Sequence, residues 1–175
     1  MYNDNENVRE RRLIFYKDDI DRINKVLEEF LKLSDSKCNI LIDKEGHMVT
    51  KAGNTEHFDM QTISALVAGS FAATRELAKL IGEDEFSVLF HQGKKDNIQL
   101  TLISDRTILA TIFDERTTIG MVRLYTKEAT EKMTRIFEEI LDRKAAADNT
   151  LGDAGFDASD FTSSAKDKLD DFFGD

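Results

Sequence analysis

The segment from Gln61 to Gly82 has the periodicity of a helix but carries apolar residues on two opposite sides. At about 100° per residue, the larger apolar residues share one side, at Ile63, Leu66, Val67, Leu77 and Ile81. Small residues lie almost opposite, at Ala65, Ala68, Gly69, Ala72 and Ala73. Such a helix needs two packing partners. We expect the large residues to pack on a sheet and the small ones to admit a second backbone, which can belong to another chain.

The rest of the chain predicts two more helices and two groups of strands. Helical spacing runs from Lys17 to about Ser34, and again after Thr117 or Thr118, one of which caps the last helix. The last helix has an apolar stripe at Met133, Ile136, Phe137 and Ile140. The segments CNILID and HMVTKAG predict a hairpin around Gly46, and FSVLFHQG, NIQLTLIS and TILATIFD predict a meander.

The order of these elements predicts an α+β fold. The order is helix, two strands, helix, three strands, helix, and it closes as a five-stranded antiparallel sheet between the central long helix and the two outer helices. Asp59 is positioned to cap the start of the central helix, and Gly82 to end it.

Composition predicts one folded domain with a polar segment on each side. Residues 1–12 form a polar extension with Arg9, Arg11 and Arg12, residues 13–145 form the domain, and residues 146–175 form an acidic tail that we expect to be flexible when alone. Within the tail, Leu169, Phe172 and Phe173 lie among acidic residues. These residues predict a short docking helix; the alternative is a purely solubilising tail.

Charge and hydropathy exclude several partner classes. The net charge of −10 disfavours nucleic acid and anionic membranes, because both require a basic surface. The sequence has neither an apolar run long enough for a membrane span nor a signal-peptide pattern, so we expect a cytoplasmic protein. The single cysteine, Cys38, is predicted to be a buried, unreactive thiol. A protein or small-ligand partner remains.

No catalytic, cofactor or metal site is predicted. The glycines form neither a phosphate-binding loop nor a dinucleotide fingerprint, and His47, His57 and His91 lack the paired spacing of metal ligands and predict surface roles. The turn Asp114-Glu115-Arg116 is interpreted as a charged turn with a local ion pair. A small-ligand enzyme site at this turn is the alternative.

Three segments carry a family resemblance: AGSFAATRELAKLIGEDEF, IFDERTTIGMVRL and the acidic KLDDFF near the end. Over residues 13–145 and the C-terminal peptide, the chain resembles the Roadblock domain family, and within it the MglB-type regulators of MglA-type Ras-like GTPases. The resemblance implies a homodimer whose central helices lie side by side and whose edge strands join into one sheet. It also implies that the dimer binds one small GTPase and accelerates GTP hydrolysis without supplying a catalytic arginine, so Arg116 is not an arginine finger.

The resemblance assigns residues to both contacts. The GTPase-facing positions are Ala68, Ala72, Arg75 and Glu76, and the dimer contact contains Ala65, Gly69 and Ala73. Some relatives carry small residues where this chain has Arg75 and Glu76. Charged side chains therefore replace a flat surface at the edge of the GTPase contact. Leu169, Phe172 and Phe173 match the apolar anchors of a C-terminal peptide associated with nucleotide exchange.

The implied function is activation of a bacterial MglA-type GTPase that controls cell polarity or motility, in the cytoplasm or at a cell pole. The alternative is a dimeric Roadblock scaffold that binds a GTPase without stimulating hydrolysis.

Overall fold

The computed structural model describes residues 13–153 and contains the predicted elements in the predicted order. They are α1 (Lys17–Ser34), β1 (Cys38–Asp43), β2 (Met48–Gly53), α2 (Met60–Leu80), β3 (Val88–Gln92), β4 (Asn97–Ile103), β5 (Thr107–Phe113) and α3 (Ile119–Asp153). Residues 1–12 and the tail residues Leu169, Phe172 and Phe173 lie outside the described residues.

Within residues 13–153, the chain divides into two compact units after Ile140. The first contains the sheet, α1, α2 and the part of α3 up to Ile140. α3 extends to Asp153, which is beyond the domain end predicted at residue 145.

The five strands form one antiparallel sheet in the order β2-β1-β5-β4-β3. The β1–β2 hairpin and the β3–β4–β5 meander are therefore both confirmed. β5 lies at the centre of the sheet, and all seven of its residues are buried. β2 and β3 are the two edge strands of the sheet within this one chain.

Helices cover both faces of the sheet. Leu41, Leu109 and Phe113 belong to the core shared with α1 and α3, whereas Ile40 and Ile108 belong to the core shared with α2. This follows from the alternation of side chains along each strand. The four residues of the predicted stripe on α3, from Met133 to Ile140, are all buried. The predicted α+β sandwich is confirmed.

Local hydrogen bonds fix the ends of α2. The Asp59 carboxylate accepts from the Thr62 backbone N–H at 3.1 Å and from the Thr62 hydroxyl at 2.6 Å, and these bonds lower the pKa of Asp59. At the other end, Gly82 has a φ of +85° and its N–H donates to the Lys79 carbonyl at 3.2 Å. Both predicted caps are confirmed. In α3, Thr118 acts as the cap and accepts from the Met121 N–H at 3.3 Å.

The β1–β2 turn packs closely against α2 at Gly46. Gly46 has a φ of +92°, and a Cβ placed on it would lie 3.0 Å from Ala65 Cα and 3.5 Å from Ala68 Cβ. The turn therefore needs glycine for two reasons, its left-handed backbone and the nearness of the helix. This contact sets where α2 lies relative to the end of β1.

Cys38 lies in the core between α2 and the sheet and is fully buried. Burial raises the pKa of its thiol from 9.0 to about 11, because the thiolate would lose its hydration. The prediction of a buried thiol is confirmed.

Replacing Gly46 tests the close contact between the turn and α2. We expect Gly46→Ala to lower the free energy of unfolding by about 1 to 2 kcal/mol, because alanine is strained at positive φ. The control is Gly120→Ala, whose nearest neighbour would be the Thr118 hydroxyl at 3.8 Å and whose φ is not positive. Urea unfolding should show a loss for the first variant only; equal stabilities would contradict the contact.

The buried thiol predicts a pH dependence of stability. Because the folded-state pKa of Cys38 is raised, only the unfolded chain loses the thiol proton between pH 9 and about 11, and stability falls over that window. Relative to Cys38→Ala, the free energy of unfolding should be constant below about pH 8 and then decrease by about 3 kcal/mol. A difference between the two chains that does not change with pH would refute this.

Candidate interaction surface on the central helix

The side of α2 that faces the sheet differs from the side predicted from the sequence. The buried residues of the helix are Met60, Ser64, Val67, Ala68, Phe71 and Ala78. Of the large residues predicted to pack on the sheet, Val67 is buried and Ile63 is partly buried in the core. Leu66 is 68% exposed, Leu77 53% and Ile81 65%. The prediction is therefore wrong for these three, because Phe71 and Met60 turn the helix so that its buried stripe lies between the two predicted faces.

The outer face of α2 combines small and large apolar residues. Ala65, Gly69 and Ala73 are exposed, and a Cβ on Gly69 would have no neighbour within 4 Å. Leu66, Leu77 and Leu80 are exposed on the same outer side, with Leu80 at 83%. An apolar helix face of this composition is atypical of a surface that stays in water.

The sheet beside this face is only partly covered by α2. The helix contacts β1, β2 and β5. On the same sheet face, Leu89 of β3 and Ile98 and Leu102 of β4 are partly buried. Ala68 contacts the turn at Gly46, and Leu77 lies about half a helical turn around from Ala68, on the flank away from β2. The exposed leucines and the β3–β4 half of the sheet therefore border one apolar surface.

The predicted GTPase-facing residues lie on the other flank of α2. Ala72 and Glu76 are exposed and Arg75 is half-buried. Ala68 is only 8% exposed, so it does not belong to an exposed stripe with Ala72 and Glu76. The sequence-based placement of Ala68 on the outer surface is corrected: its side chain lies against the Gly46 turn, one helical turn before Ala72.

A cavity of about 110 Å³ opens beside Ala72. Its apolar walls are Ala68, Phe71, Ala72 and Ile108, and its charged rim is Lys44, Arg75 and Glu85. It therefore brings together α2, the segment after β1, the start of β5 and the segment before β3. Ala68, Ala72 and Arg75 were predicted as partner-binding residues; the other four were not, because they come from separate parts of the sequence.

Glu85 joins the two cations of this rim. Its carboxylate accepts from Arg75 Nη2 at 2.9 Å, and Lys44 Nζ lies 3.9 Å from the same oxygen. Partial burial lowers the pKa of Lys44, against the opposing effect of Glu85. Two cations thus share one carboxylate beside an apolar cavity.

The turn at Asp114 forms a separate ionic cluster. Asp114 accepts from Arg116 Nε at 2.9 Å and lies 3.8 Å from Lys37 Nζ, and the bonds from Arg116 lower the pKa of the Asp114 carboxylate. Arg116 also lies 4.0 Å from Asp35. The interpretation as a charged turn with a local ion pair is confirmed.

The three histidines are exposed, as predicted. His47 Nδ1 lies 3.0 Å from the Asp43 carboxylate, and with Glu45 these residues form the one group of three His, Cys, Asp or Glu side chains within residues 13–147 whose atoms are close enough to share a metal ion. Asp43 ends β1, and Glu45 and His47 follow it in the β1–β2 turn and are exposed; exposed acidic groups of this kind are common without a metal. Across the same residues, no helix combines the length and hydropathy needed to span a bilayer.

Comparison with known proteins identifies the domain. Residues 22–113 match the Roadblock/LC7 domain. No curated protein sequence matches the chain significantly. The structure is similar to that of MglB from Myxococcus xanthus, with 41% identity and a TM-score of 0.69 over 73% of this chain and 96% of that chain.

Two further solved structures support the same assignment. The gliding protein MglB from Thermus thermophilus is 34% identical with a TM-score of 0.68, covering 73% of this chain and 96% of that chain. A structure described as MglB with a tetrameric arrangement is 33% identical with a TM-score of 0.70 over the same shares. By its matched domain and by these similarities, the chain belongs to the Roadblock/LC7 domain family.

Proposed function

We propose that this chain is a homodimeric GTPase-activating regulator of an MglA-type Ras-like GTPase, acting in cell polarity or motility. The observation that carries the proposal is the apolar outer face of α2, exposed in a domain that is similar to MglB of Myxococcus and Thermus. Such a face requires a macromolecular partner, and the local ion pairs of Asp114 and Arg116 argue against an enzyme site at that turn.

The dimer is proposed to form through α2. Gly69 and Ala73 let two helices approach closely, and Leu66, Leu77 and Leu80 flank them. Complete burial of a leucine side chain contributes about 2 kcal/mol, so these three largely exposed residues offer several kcal/mol of association free energy.

β3 is proposed to extend this dimer contact. It is an edge strand, and it lies at the side of the sheet that α2 leaves partly uncovered. An edge strand has backbone N–H and C=O groups available for pairing. Pairing of β3 with its copy would join the two sheets and cover both apolar surfaces together.

The GTPase is proposed to bind the flank of α2 that carries Ala72, Arg75 and Glu76. This flank is continuous with the outer face but points toward the β1–β2 turn, so it stays accessible when the leucines are buried in the dimer. The regulator would act by positioning the GTPase's own catalytic residues, since GTP hydrolysis depends mainly on positioning and electrostatic stabilisation. Arg116 has no catalytic role in this proposal.

Replacing Ala72 with a large charged residue should disrupt binding of the GTPase but not formation of the dimer. We expect Ala72→Arg to weaken binding of the GTP-loaded GTPase by more than about a hundredfold, because the bulk of the arginine side chain would obstruct close contact at the mouth of the cavity. Light scattering should still report a dimer, because Ala72 lies outside the leucine flank. Calorimetric titration measures the loss; unchanged affinity would overturn this placement of the GTPase.

The C-terminal peptide is proposed to bind the GTPase separately and to promote nucleotide exchange through Leu169, Phe172 and Phe173. A chain ending at Asp153 should therefore still stimulate hydrolysis. A fluorescent GDP analogue should dissociate from the GTPase more slowly with this shortened chain than with the full chain. The full-length chain with all three residues changed to alanine is the matched control and should behave like the truncated chain. Equal release rates for all three chains would remove the peptide from the mechanism.

A further inference from the structure

The cavity beside Ala72 is a preformed recess rather than a packing defect at the protein's centre. Its floor consists of Phe71 and Ile108, which are buried, and its mouth is at the exposed Ala72. Its volume of about 110 Å³ approaches the ~150 Å³ of cavities that bind benzene, so one aliphatic side chain fits. Filling it would restore the dispersion contacts that its walls lack.

The charged residues at the rim give this recess a net positive charge. Glu85 is shared by Lys44 and Arg75, so the three charges that line the cavity sum to one positive charge. Asp105 raises and Arg106 lowers the pKa of Lys44, so one further charge of each sign acts on it. In a chain of net charge −10, this positive spot favours an incoming carboxylate. Burial already penalises the charged form of Lys44, and such a carboxylate would restore it.

Size and position favour a protein partner over a metabolite. Sites for small molecules occupy roughly 300 to 1,000 Å³, several times the volume of this recess. Its mouth opens at Ala72, next to Arg75 on the flank to which the proposed function assigns the GTPase. A side chain reaching from that GTPase would enter without any rearrangement of α2.

We infer that this recess is an anchoring pocket, in which one apolar side chain of the GTPase inserts while an adjacent carboxylate of the GTPase pairs with Lys44 and Arg75. The inference rests on the proposed function, and it names the chemistry of the GTPase surface that the regulator selects. A partner with an apolar residue next to an aspartate or glutamate fits; one with a basic residue there does not.

Two variants of the full chain test the pocket. Lys44→Glu reverses the charge of the rim, and Ala68→Leu fills the cavity. Each should weaken the affinity for an MglA-type GTPase loaded with a non-hydrolysable GTP analogue by about tenfold or more. The matched control is Lys25→Glu, which makes the same charge change on the exposed surface of α1, on the other side of the sheet. It should alter affinity by less than about twofold, because salt screens distant charges.

The readouts distinguish the inference from the proposed function. Thermal unfolding verifies that each variant is folded, and raising the salt concentration should reduce the effect of Lys44→Glu but not that of Ala68→Leu. If both folded variants bind like the unaltered chain, the pocket is refuted and the proposed function stands. If the unaltered chain does not bind the GTPase, both fail. If Lys44→Glu weakens self-association instead, the occupant is a second copy and the inference is overturned.

Discussion

The packing of α2 on the sheet determines both candidate interaction surfaces of the domain. Met60, Val67 and Phe71 fix which side of the helix faces the sheet, and Gly46 lets the β1–β2 turn approach it closely. Because these contacts lie toward β1, β2 and β5, the other flank of α2 and the β3–β4 half of the sheet remain accessible. The apolar outer face and the cavity are therefore two consequences of one packing arrangement.

The two flanks of α2 differ in chemistry, and this difference separates their proposed roles. The flank with Leu66 and Leu77 is mainly apolar, which suits a permanent contact between identical subunits. The flank with Arg75 and Glu76 combines a small apolar recess with charges, which suits a partner that must associate and dissociate. One helix can thus serve both contacts without competition between them.

Local signals in the sequence predicted the fold well. The caps at Asp59 and Gly82 and the turn at Gly46 depend on residues close in sequence, and the strands depend on short-range alternation. The rotation of α2 about its own axis was harder to predict, because apolar residues occur almost all around the helix. Phe71, omitted from both predicted faces, is among the residues that decide it.

The cavity could not be predicted from sequence. Lys44, Glu85 and Ile108 come from different elements, and only the tertiary structure brings them to α2. The end of α3 was also not located by the sequence, for a different reason. The composition changes near Ala147, but the helix extends to Asp153, since the alanines around that point have high helix propensity.

The central claim is that a dimer of this chain activates a Ras-like GTPase. Single-turnover GTP hydrolysis by an MglA-type GTPase, measured with increasing amounts of the full chain, tests it most directly. We expect a rate increase of roughly tenfold or more that saturates at two chains per GTPase. A complex that forms at that stoichiometry but leaves the hydrolysis rate unchanged would contradict the account and identify the chain as a scaffold.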